Sequence, residues 1–192
     1  MERLAIYCGS TAPAPEYLEL AQHVGRTLAR RGIGVVYGGG RLGLMGAIAD
    51  AALAEGGEVI GIIPEALVRA EMAHTGLDHL EIVQTMHERK ARFTELSDGF
   101  VTLPGGTGTL DELWEAMSWA QLGYHSDPVG LLNHNGFYDP MIAMWEKMGE
   151  VGFVRPQHRD LLIAAPTLDE LLERMANAGP TRPIIQLERQ EL

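Results

Sequence analysis

The residues best suited to chemistry lie in one stretch, Phe100–Glu115, which reads FVTLPGGTGTLDELWE. The apolar run at its start is typical of a buried strand, the glycines after it predict a tight turn, and a helix is predicted to open at Thr109. A strand, a glycine turn and a helix start gather backbone N–H groups around an anion, and glycines let a phosphate approach the backbone. Glu112 places a carboxylate one turn further on. The stretch therefore predicts chemistry on a small phosphorylated molecule.

The glycine-rich run differs from the phosphate loop of NTPases at one decisive position. That loop needs a lysine after its last glycine, whereas here Gly108 is followed by Thr109. The sequence has only two lysines, Lys90 and Lys147. We therefore expect the ligand to be a monophosphate and not a triphosphate.

Two roles are open for Glu112. The pattern Thr109-Leu110-Asp111-Glu112 matches a capping box, in which Glu112 would bond back to the first amide of its own helix. The catalytic role gains support because the same helix start faces the predicted ligand. The sequence leaves both roles open, and the two could alternate between the ligand-free and ligand-bound states.

Arg89 lies on an unexpected face of its helix. In the helix predicted over Met86–Ser97, Arg89 falls on the apolar stripe formed by Met86, Phe93 and Leu96. An inward-facing cation needs an anionic partner, which a bound phosphate or a catalytic carboxylate would supply. The alternatives are an internal salt bridge or a side chain that extends along the surface to water.

A second glycine turn, Gly38-x-Gly40-x-x-Gly43, matches the letters of the dinucleotide-binding fingerprint. It follows the second predicted strand instead of the first, which weakens that interpretation. Tight packing of a strand on a helix is one alternative. The interpretation we favour is that this turn lines a nucleotide pocket without binding NAD.

Composition limits the remaining classes of function. The chain has 192 residues, 15 basic and 26 acidic side chains and a formal net charge of −11. This acidic balance argues against binding of nucleic acid or of an anionic membrane surface, and a small-molecule partner is expected instead.

The single cysteine, Cys8, excludes a disulfide framework, and the seven histidines lack metal-ligand spacing, so we expect no metal site. The apolar run near the N-terminus is too short for a signal peptide core, and the expected location is the cytoplasm.

The order of the predicted elements indicates the fold. Apolar runs of strand length alternate with helical patterns, including one over Leu110–Leu122. This alternation predicts a Rossmann-like, doubly wound α/β fold with a mostly parallel sheet, helices on both faces and a single domain. We assign residues 1–178 to this nucleotide-binding domain and residues 179–192 to a loosely held C-terminal tail.

Four motifs together resemble a known family. They are YGGGRLGLMG (Tyr37–Gly46), MHERK (Met86–Lys90), PGGTGTLDE (Pro104–Glu112) and WAQLG (Trp119–Gly123). In this combination the sequence resembles the Lonely-guy family, the cytokinin riboside 5′-monophosphate phosphoribohydrolases, some of whose members also carry the label of lysine decarboxylase. The resemblance implies hydrolysis of the N-glycosidic bond between an adenine base and ribose 5-phosphate, without a cofactor.

The resemblance also implies roles for individual residues. Arg89 and Glu112 match the catalytic pair of the family motif. The substrate-binding positions it implies are Ser10, Gly39, Gly40, Glu71, Met86, Lys90, Gly105, Gly106, Thr107, Gly108, Thr109, Leu110, Asp111 and Ser118. A homodimer is implied as well, with the helix that carries Trp114 and Trp119 as the candidate interface.

Three other functions remain open at this point. A lysine decarboxylase would need pyridoxal phosphate on Lys90 or Lys147. A purine nucleotide nucleosidase of broader specificity would act on AMP with the same motifs. A non-catalytic nucleotide-binding or carrier protein would keep the glycine turns but would not need Glu112 and Arg89.

Overall fold

Short runs of buried apolar residues form the strands of one parallel sheet. The computed structural model describes residues 1–69 and 73–184. Within that part of the chain the sheet has seven strands, and every pair of neighbouring strands is parallel. The strands are β1 (Arg3–Tyr7), β2 (Gly34–Tyr37), β3 (Val59–Pro64), β4 (His79–Val83), β5 (Phe100–Thr102), β6 (Val129–Leu132) and β7 (Leu162–Ala165).

Helices connect the strands and cover both faces of the sheet. They are α1 (Pro15–Arg30), α2 (Gly43–Ala54), α3 (Met86–Leu96), α4 (Thr107–Leu122), α5 (Asp139–Glu150) and α6 (Leu168–Ala176). The predicted doubly wound α/β fold is confirmed, since helices pack on both faces of the parallel sheet. The connection between β3 and β4 differs from the others, because its described residues contain only a three-residue 3₁₀ helix, Glu65–Leu67.

Alternation along β1 divides the interior into two hydrophobic cores. Leu4 and Ile6 face a core shared with α1, α2 and α6, whereas Ala5 and Tyr7 face a core shared with α3, α4 and α5. Because successive side chains of a strand point to opposite faces, one central strand supports both layers.

The strand order places a crevice at the middle of the sheet. The strand order is β4-β3-β2-β1-β5-β6-β7. Strands β2 to β4 are added on one side of β1, and strands β5 to β7 are added on its other side. Ala5 pairs with Phe100 and Tyr7 with Thr102 across this reversal. The connections at the carboxyl ends of β1 and β5 therefore diverge to opposite faces and leave room for a ligand between them.

Helix α4 begins earlier than the sequence pattern predicts. Its first residue is Thr107 and its N-cap is Gly106, whereas the pattern predicted a helix start at Thr109. Thr109 is therefore the third helical residue, and Glu112 is the sixth. The predicted capping box over Thr109–Glu112 is wrong, because its two residues lie inside the helix and not at its boundary.

The capping box of this region belongs to α3 instead. The Thr85 hydroxyl accepts a hydrogen bond from the Glu88 amide at 3.1 Å, and the Glu88 carboxylate accepts one from the Thr85 amide at 3.3 Å. These reciprocal bonds satisfy two amides that the helix itself leaves without an acceptor. The start of the helix that carries Arg89 is fixed in this way.

The beginning of the predicted C-terminal tail makes two contacts with the rest of the chain. The ring Nε2 of buried His158 lies 2.7 Å from the carbonyl oxygen of Arg182, and the amide of Ile184 donates to the carbonyl of Gln121 at 2.7 Å. The domain boundary at residue 178 stays a prediction, and residues 185–192 lie outside the described part. Among the described residues, the helices are all too short or too polar to span a bilayer.

Replacing Thr85 tests the capping box. We expect Thr85→Ala to lower the free energy of unfolding by about 0.5–2 kcal/mol, because the Glu88 amide loses its acceptor. The measurement is chemical denaturation followed by circular dichroism. Thr94→Ala on the same helix is the matched control and should change the free energy by less than about 0.5 kcal/mol. Equal losses in the two variants would contradict the assignment of the cap.

Candidate active site

A cavity of about 280 Å³ opens at the carboxyl ends of β1 and β5. Most of its wall comes from the loop after β1, the start of α4 and the inward side of α3, and α2 and the segment after β3 add one residue each. The described residues that line it are Cys8, Gly9, Ser10, Thr11, Met45, Leu67, Met86, Arg89, Gly106, Thr107, Gly108, Thr109, Asp111 and Glu112. This volume suits a small organic ligand.

The start of α4 presents backbone donors to the cavity. The first hydrogen bond of the helix runs from the Leu110 amide to the Gly106 carbonyl at 3.1 Å, so the amides before Leu110 lie in the turn that a helix leaves without internal acceptors. A Cβ placed on Gly106 or Gly108 would meet nothing within 4 Å. The backbone is therefore open to a ligand at these two positions, and the helix dipole favours an anion there.

Gly105 has a different role from its neighbours. A Cβ at this position would lie 2.1 Å from the Thr109 hydroxyl oxygen. The close approach packs buried Thr109 against the loop and sets the direction in which α4 leaves it. Gly105 lines a smaller cavity of about 100 Å³ on the other side of Gly106, together with Tyr17 and Phe137.

The loop after β1 is held between the two glycine turns. The Gly9 amide donates to the Pro104 carbonyl at 3.3 Å, and the Gly9 carbonyl accepts from the Leu44 amide at 3.2 Å. Gly43 has a φ of +57°, and a Cβ there would lie 2.4 Å from the Ser10 carbonyl oxygen. These contacts place Ser10 at the cavity, and its role in substrate binding stays a prediction.

Arg89 is buried and held at one side of the cavity. Only 4% of the residue is exposed, and its Nη2 donates to the Gly38 carbonyl at 2.9 Å. The guanidinium carbon lies 5.7 Å from the centre of the Phe93 ring, within the range of a cation–π interaction. The inward direction predicted from the helical stripe is confirmed.

The position of Arg89 explains why residue 38, the first of the Gly38–Gly43 turn, is a glycine. A Cβ at this position would lie 2.0 Å from Arg89 Nη2 and would displace the guanidinium. The Gly38 carbonyl is the acceptor in this hydrogen bond. The turn therefore leaves space for the Arg89 guanidinium and supplies its hydrogen-bond acceptor. Its similarity to a dinucleotide fingerprint did not suggest this role.

Glu112 faces the cavity from the second turn of α4. Burial raises the pKa of the Tyr7 phenol and of the Cys8 thiol well above their ordinary values, and the negative charge of Glu112 raises both further. These shifts favour the protonated forms of Tyr7 and Cys8 at neutral pH, and a protonated thiol is a weak nucleophile. Glu112 is half-buried and lies inside the helix, so it is not the N-terminal cap of α4.

Lys90 points to α4 and not into the cavity. Its Nζ lies 2.8 Å from Asp111 Oδ2 and 2.7 Å from Glu115 Oε2. Burial lowers the pKa of Lys90, but the two carboxylates outweigh that effect and raise it above the ordinary value for lysine. The other lysine, Lys147, pairs with Glu150 on the exposed side of α5.

The remaining predicted residues divide into three groups. Gly39 and Gly40 contact the residues around Ala73, since the Gly39 carbonyl accepts from the His74 amide at 2.9 Å and Gly40 forms a β-bridge with Ala73. Leu110 packs against the core, and Ser118 lies exposed further along α4. Neither of these two lines the cavity. Glu71 lies outside the described residues.

Several cavity residues were missed by sequence reasoning. These are Cys8, Gly9, Thr11, Met45 and Leu67. The first three follow β1, and the rule that ligands bind beyond the carboxyl ends of strands could have found them once β1 was placed beside β5. Met45 and Leu67 carry no signal of this kind. Within residues 1–69 and 73–184, no cluster of three histidine, cysteine or carboxylate side chains could hold a metal ion.

Comparison with known proteins identifies relatives over most of the chain. The family model described as "Possible lysine decarboxylase" matches residues 45–175. A "Probable cytokinin riboside 5′-monophosphate phosphoribohydrolase" of Oryza sativa subsp. japonica is 45% identical over 174 residues, which are 90% of this chain and 78% of the relative. A cytokinin riboside 5′-monophosphate phosphoribohydrolase of Arabidopsis thaliana is 41% identical over 179 residues, which are 93% of this chain and 83% of the relative.

Among solved structures, the molybdenum cofactor binding protein of Rippkaea orientalis superimposes with a TM-score of 0.68. The match covers 91% of this chain and 95% of that protein, at 19% sequence identity. At this identity the similarity concerns the fold alone.

Two glycines of the same loop give opposite predictions. We expect Gly105→Ala to destabilise the protein by about 1–3 kcal/mol, because the added methyl group collides with Thr109. Gly108→Ala is the matched control, and we expect its unfolding free energy to stay within about 1 kcal/mol of the wild-type value because the site is open. Thermal and chemical denaturation of the two variants provide the measurement. A loss in Gly108→Ala equal to that in Gly105→Ala would contradict the described loop geometry.

Proposed function

The chain belongs to the Lonely-guy family of cytokinin riboside 5′-monophosphate phosphoribohydrolases, and we propose that Arg89 and Glu112 are the residues that carry its reaction. The protein is an N-glycosidase that hydrolyses an N6-substituted adenosine 5′-monophosphate to the free base and ribose 5-phosphate. One observation supports the assignment of the residues above all others: the buried arginine and the carboxylate line the same cavity as the open helix start.

The start of α4 is the proposed phosphate site. The amides of Thr107, Gly108 and Thr109 lie in the first turn, where the helix dipole and the N–H groups both favour a dianion. Phosphate bound there fixes the ribose relative to Glu112, which follows on the same helix. Because the phosphate site and Glu112 lie on the same helix, binding of the phosphate orients the sugar without a conformational change.

The reaction needs stabilisation of positive charge at the sugar. The bond between C1′ and the base nitrogen breaks with its electron pair leaving on the base, which takes up a proton, while a water oxygen bonds to C1′. The ribose passes through an oxocarbenium-like state, as in glycoside hydrolysis generally. We assign to Glu112 the stabilisation of this charge and the activation of water, and to Arg89 the binding of phosphate or sugar oxygens and the orientation of Glu112.

The positions of the two lysines argue against a pyridoxal phosphate enzyme. Lys90 is engaged by two carboxylates, and a lysine held as an ammonium is a poor partner for an aldehyde. Lys147 is 68% exposed on α5. The carrier alternative does not need an acid at position 112, and the phosphoribohydrolase reaction does.

Two finer statements belong to the same proposal. We propose a homodimer that uses the α4 side of the molecule, where half-buried Trp114 contacts Trp145 and Trp119 contacts Tyr124. We also propose a cytoplasmic location. The preferred base is addressed by comparing AMP with isopentenyladenosine monophosphate and measuring the released base.

Glu112→Gln tests the catalytic assignment. We expect kcat to fall by about 10²–10⁴-fold, the range that a positioned acid or base supplies. The measurement is release of free base from isopentenyladenosine monophosphate, followed by chromatography. Glu146→Gln, a change of the same type on the exposed side of α5, should leave kcat at the wild-type value. Near-normal turnover by Glu112→Gln would refute the assignment.

The phosphate site makes a prediction about the substrate. We expect the riboside without its 5′-phosphate to be hydrolysed at least about 10³-fold more slowly in kcat/KM, because the helix start then has no anion to hold. Parallel assays of the riboside and its monophosphate measure this ratio. Equal rates for the riboside and its monophosphate would contradict a phosphate site at the start of α4.

A further inference from the structure

Tyr138 contacts the loop of residues 103–106, which leads from β5 into the proposed phosphate site. It lies directly before α5, only 3% of it is exposed, and its hydroxyl donates to the Leu103 carbonyl at 2.8 Å. The described residues that line the main cavity do not include it. We propose that Tyr138 is a positioning residue, whose hydroxyl fixes the 103–106 loop so that the first amides of α4 face the phosphate. This inference rests on the proposed function.

The Leu103 carbonyl lies at the point where the chain leaves the sheet. The Leu103 amide still donates to the Tyr7 carbonyl of β1 at 2.8 Å, whereas the Leu103 carbonyl accepts from the Tyr138 hydroxyl. Leu103 is fully buried, and a buried carbonyl without a donor is costly. The next residue, Pro104, has no amide proton to offer. The tyrosine hydroxyl therefore supplies a donor where the strand ends.

Side-chain packing does not fill the space beside the 103–106 loop. Pro104, Gly105 and Gly106 line the smaller cavity of about 100 Å³, so dispersion contacts are missing on that side. A second hydrogen bond to the loop, from the Gly9 amide to the Pro104 carbonyl, is 3.3 Å long and exceeds the usual range. The bond from Tyr138 has the usual length for a hydroxyl donor. The position of the loop therefore depends strongly on this hydroxyl.

The phenolic oxygen of Tyr138 also interacts with a second group of the loop. Burial and a negative charge on Cys8 raise the pKa of Tyr138, whereas the Gly105 amide, as a donor to the phenolic oxygen, lowers it. The net upward shift favours the protonated hydroxyl at neutral pH, the form that donates to Leu103. Because a hydroxyl both donates and accepts, one atom serves a carbonyl and an amide two residues apart. Phenylalanine at this position would supply neither interaction.

Tyr138 is held in place independently of the loop. Its amide donates to Asn133 Oδ1 at 2.8 Å, and Asn133 Nδ2 donates to Asp139 Oδ1 at 2.8 Å. The Asn133 amide donates in turn to the carbonyl of Ala165 in β7 at 2.8 Å. These bonds connect the start of α5 to the ends of β6 and β7. The hydroxyl is therefore a fixed point against which the 103–106 loop is positioned.

Loss of this hydroxyl should affect the phosphate site more than the catalytic pair. The loop leads directly into the first turn of α4, where the proposed phosphate donors lie. Glu112 lies further along the helix, and Arg89 is held by the Gly38 carbonyl on the other side of the cavity. A weaker phosphate site should raise KM for a phosphorylated substrate with little change in kcat. A general loosening of the active site would lower kcat as well.

Tyr138→Phe in the full-length protein removes the hydroxyl and keeps the ring. We expect binding of inorganic phosphate, measured by calorimetry, to weaken about tenfold, as for a hydrogen bond whose partners stay buried. We expect KM for isopentenyladenosine monophosphate to rise about tenfold and kcat to fall less than about threefold. Tyr37→Phe is the matched control, because Tyr37 is fully buried and its hydroxyl has no hydrogen-bond partner among the described residues. It should keep the wild-type values.

Three results would overturn the proposal. They are wild-type phosphate affinity in a folded Tyr138→Phe, an equal loss in Tyr37→Phe, and a fall in kcat at unchanged KM. Asn133→Ala keeps the hydroxyl but releases the Tyr138 amide, and we expect it to weaken phosphate binding about threefold. If circular dichroism shows that Tyr138→Phe does not fold, wild-type phosphate affinity in Asn133→Ala would overturn the proposal instead.

The experiment also distinguishes this inference from the proposed function, because phosphate binding needs no turnover. If the wild-type protein released no base from any riboside monophosphate, the proposed function would fail, whereas the phosphate affinities of the variants would still test the role of Tyr138. If the wild-type protein is active and Tyr138→Phe matches it in KM and phosphate affinity, only the inference about Tyr138 fails.

Discussion

A cation buried inside an apolar helix layer is the constraint on which this site depends. Removing a guanidinium from water is costly unless each of its sides finds a favourable contact. Here the carbonyl of Gly38 accepts a hydrogen bond from the guanidinium, the ring of Phe93 lies within the range of a cation–π interaction, and the Met86 sulfur lies 3.9 Å from Nη1. The need for a bare carbonyl close to Arg89 in turn requires glycine at the end of β2. The arginine thus accounts for a glycine 51 residues away in the sequence.

The topology brings together groups that the sequence keeps apart. The reversal of strand order at β1 and β5 opens the crevice, the loop after β1 closes one side, and α4 begins at the other. The proposed phosphate site is compatible with a net charge of −11, because the local field there comes from a helix start and a buried arginine and not from the overall charge. Two of the nearby carboxylates, those of Asp111 and Glu115, pair with Lys90.

Much of this arrangement could be predicted from the sequence, and the exceptions have physical causes. The strands, the helices and the inward direction of Arg89 follow from periodicity, which is a local property. The start of α4 could not be placed because Thr109 resembles a cap in its letters, and only the packing of Thr109 against Gly105 shows that it is an interior residue. The ion pairs of Lys90 with Asp111 and Glu115 could not be predicted for the same reason: a motif gives the type of a residue, whereas the rotation of its helix decides what that residue contacts.

The short run Thr85–Lys90 has a consequence for how such chains can diverge. Glu88 caps the helix, Arg89 turns inward to the Gly38 carbonyl, and Lys90 reaches across to α4. Successive residues of a helix are separated by about 100° of rotation. The contacts of these three side chains therefore depend on their positions around the helix as much as on their residue types. A deletion or insertion of one residue here would turn each of these side chains toward the wrong neighbour while changing the composition very little. The spacing of this run is therefore more informative than its individual letters, and alignments of relatives should penalise gaps within it heavily.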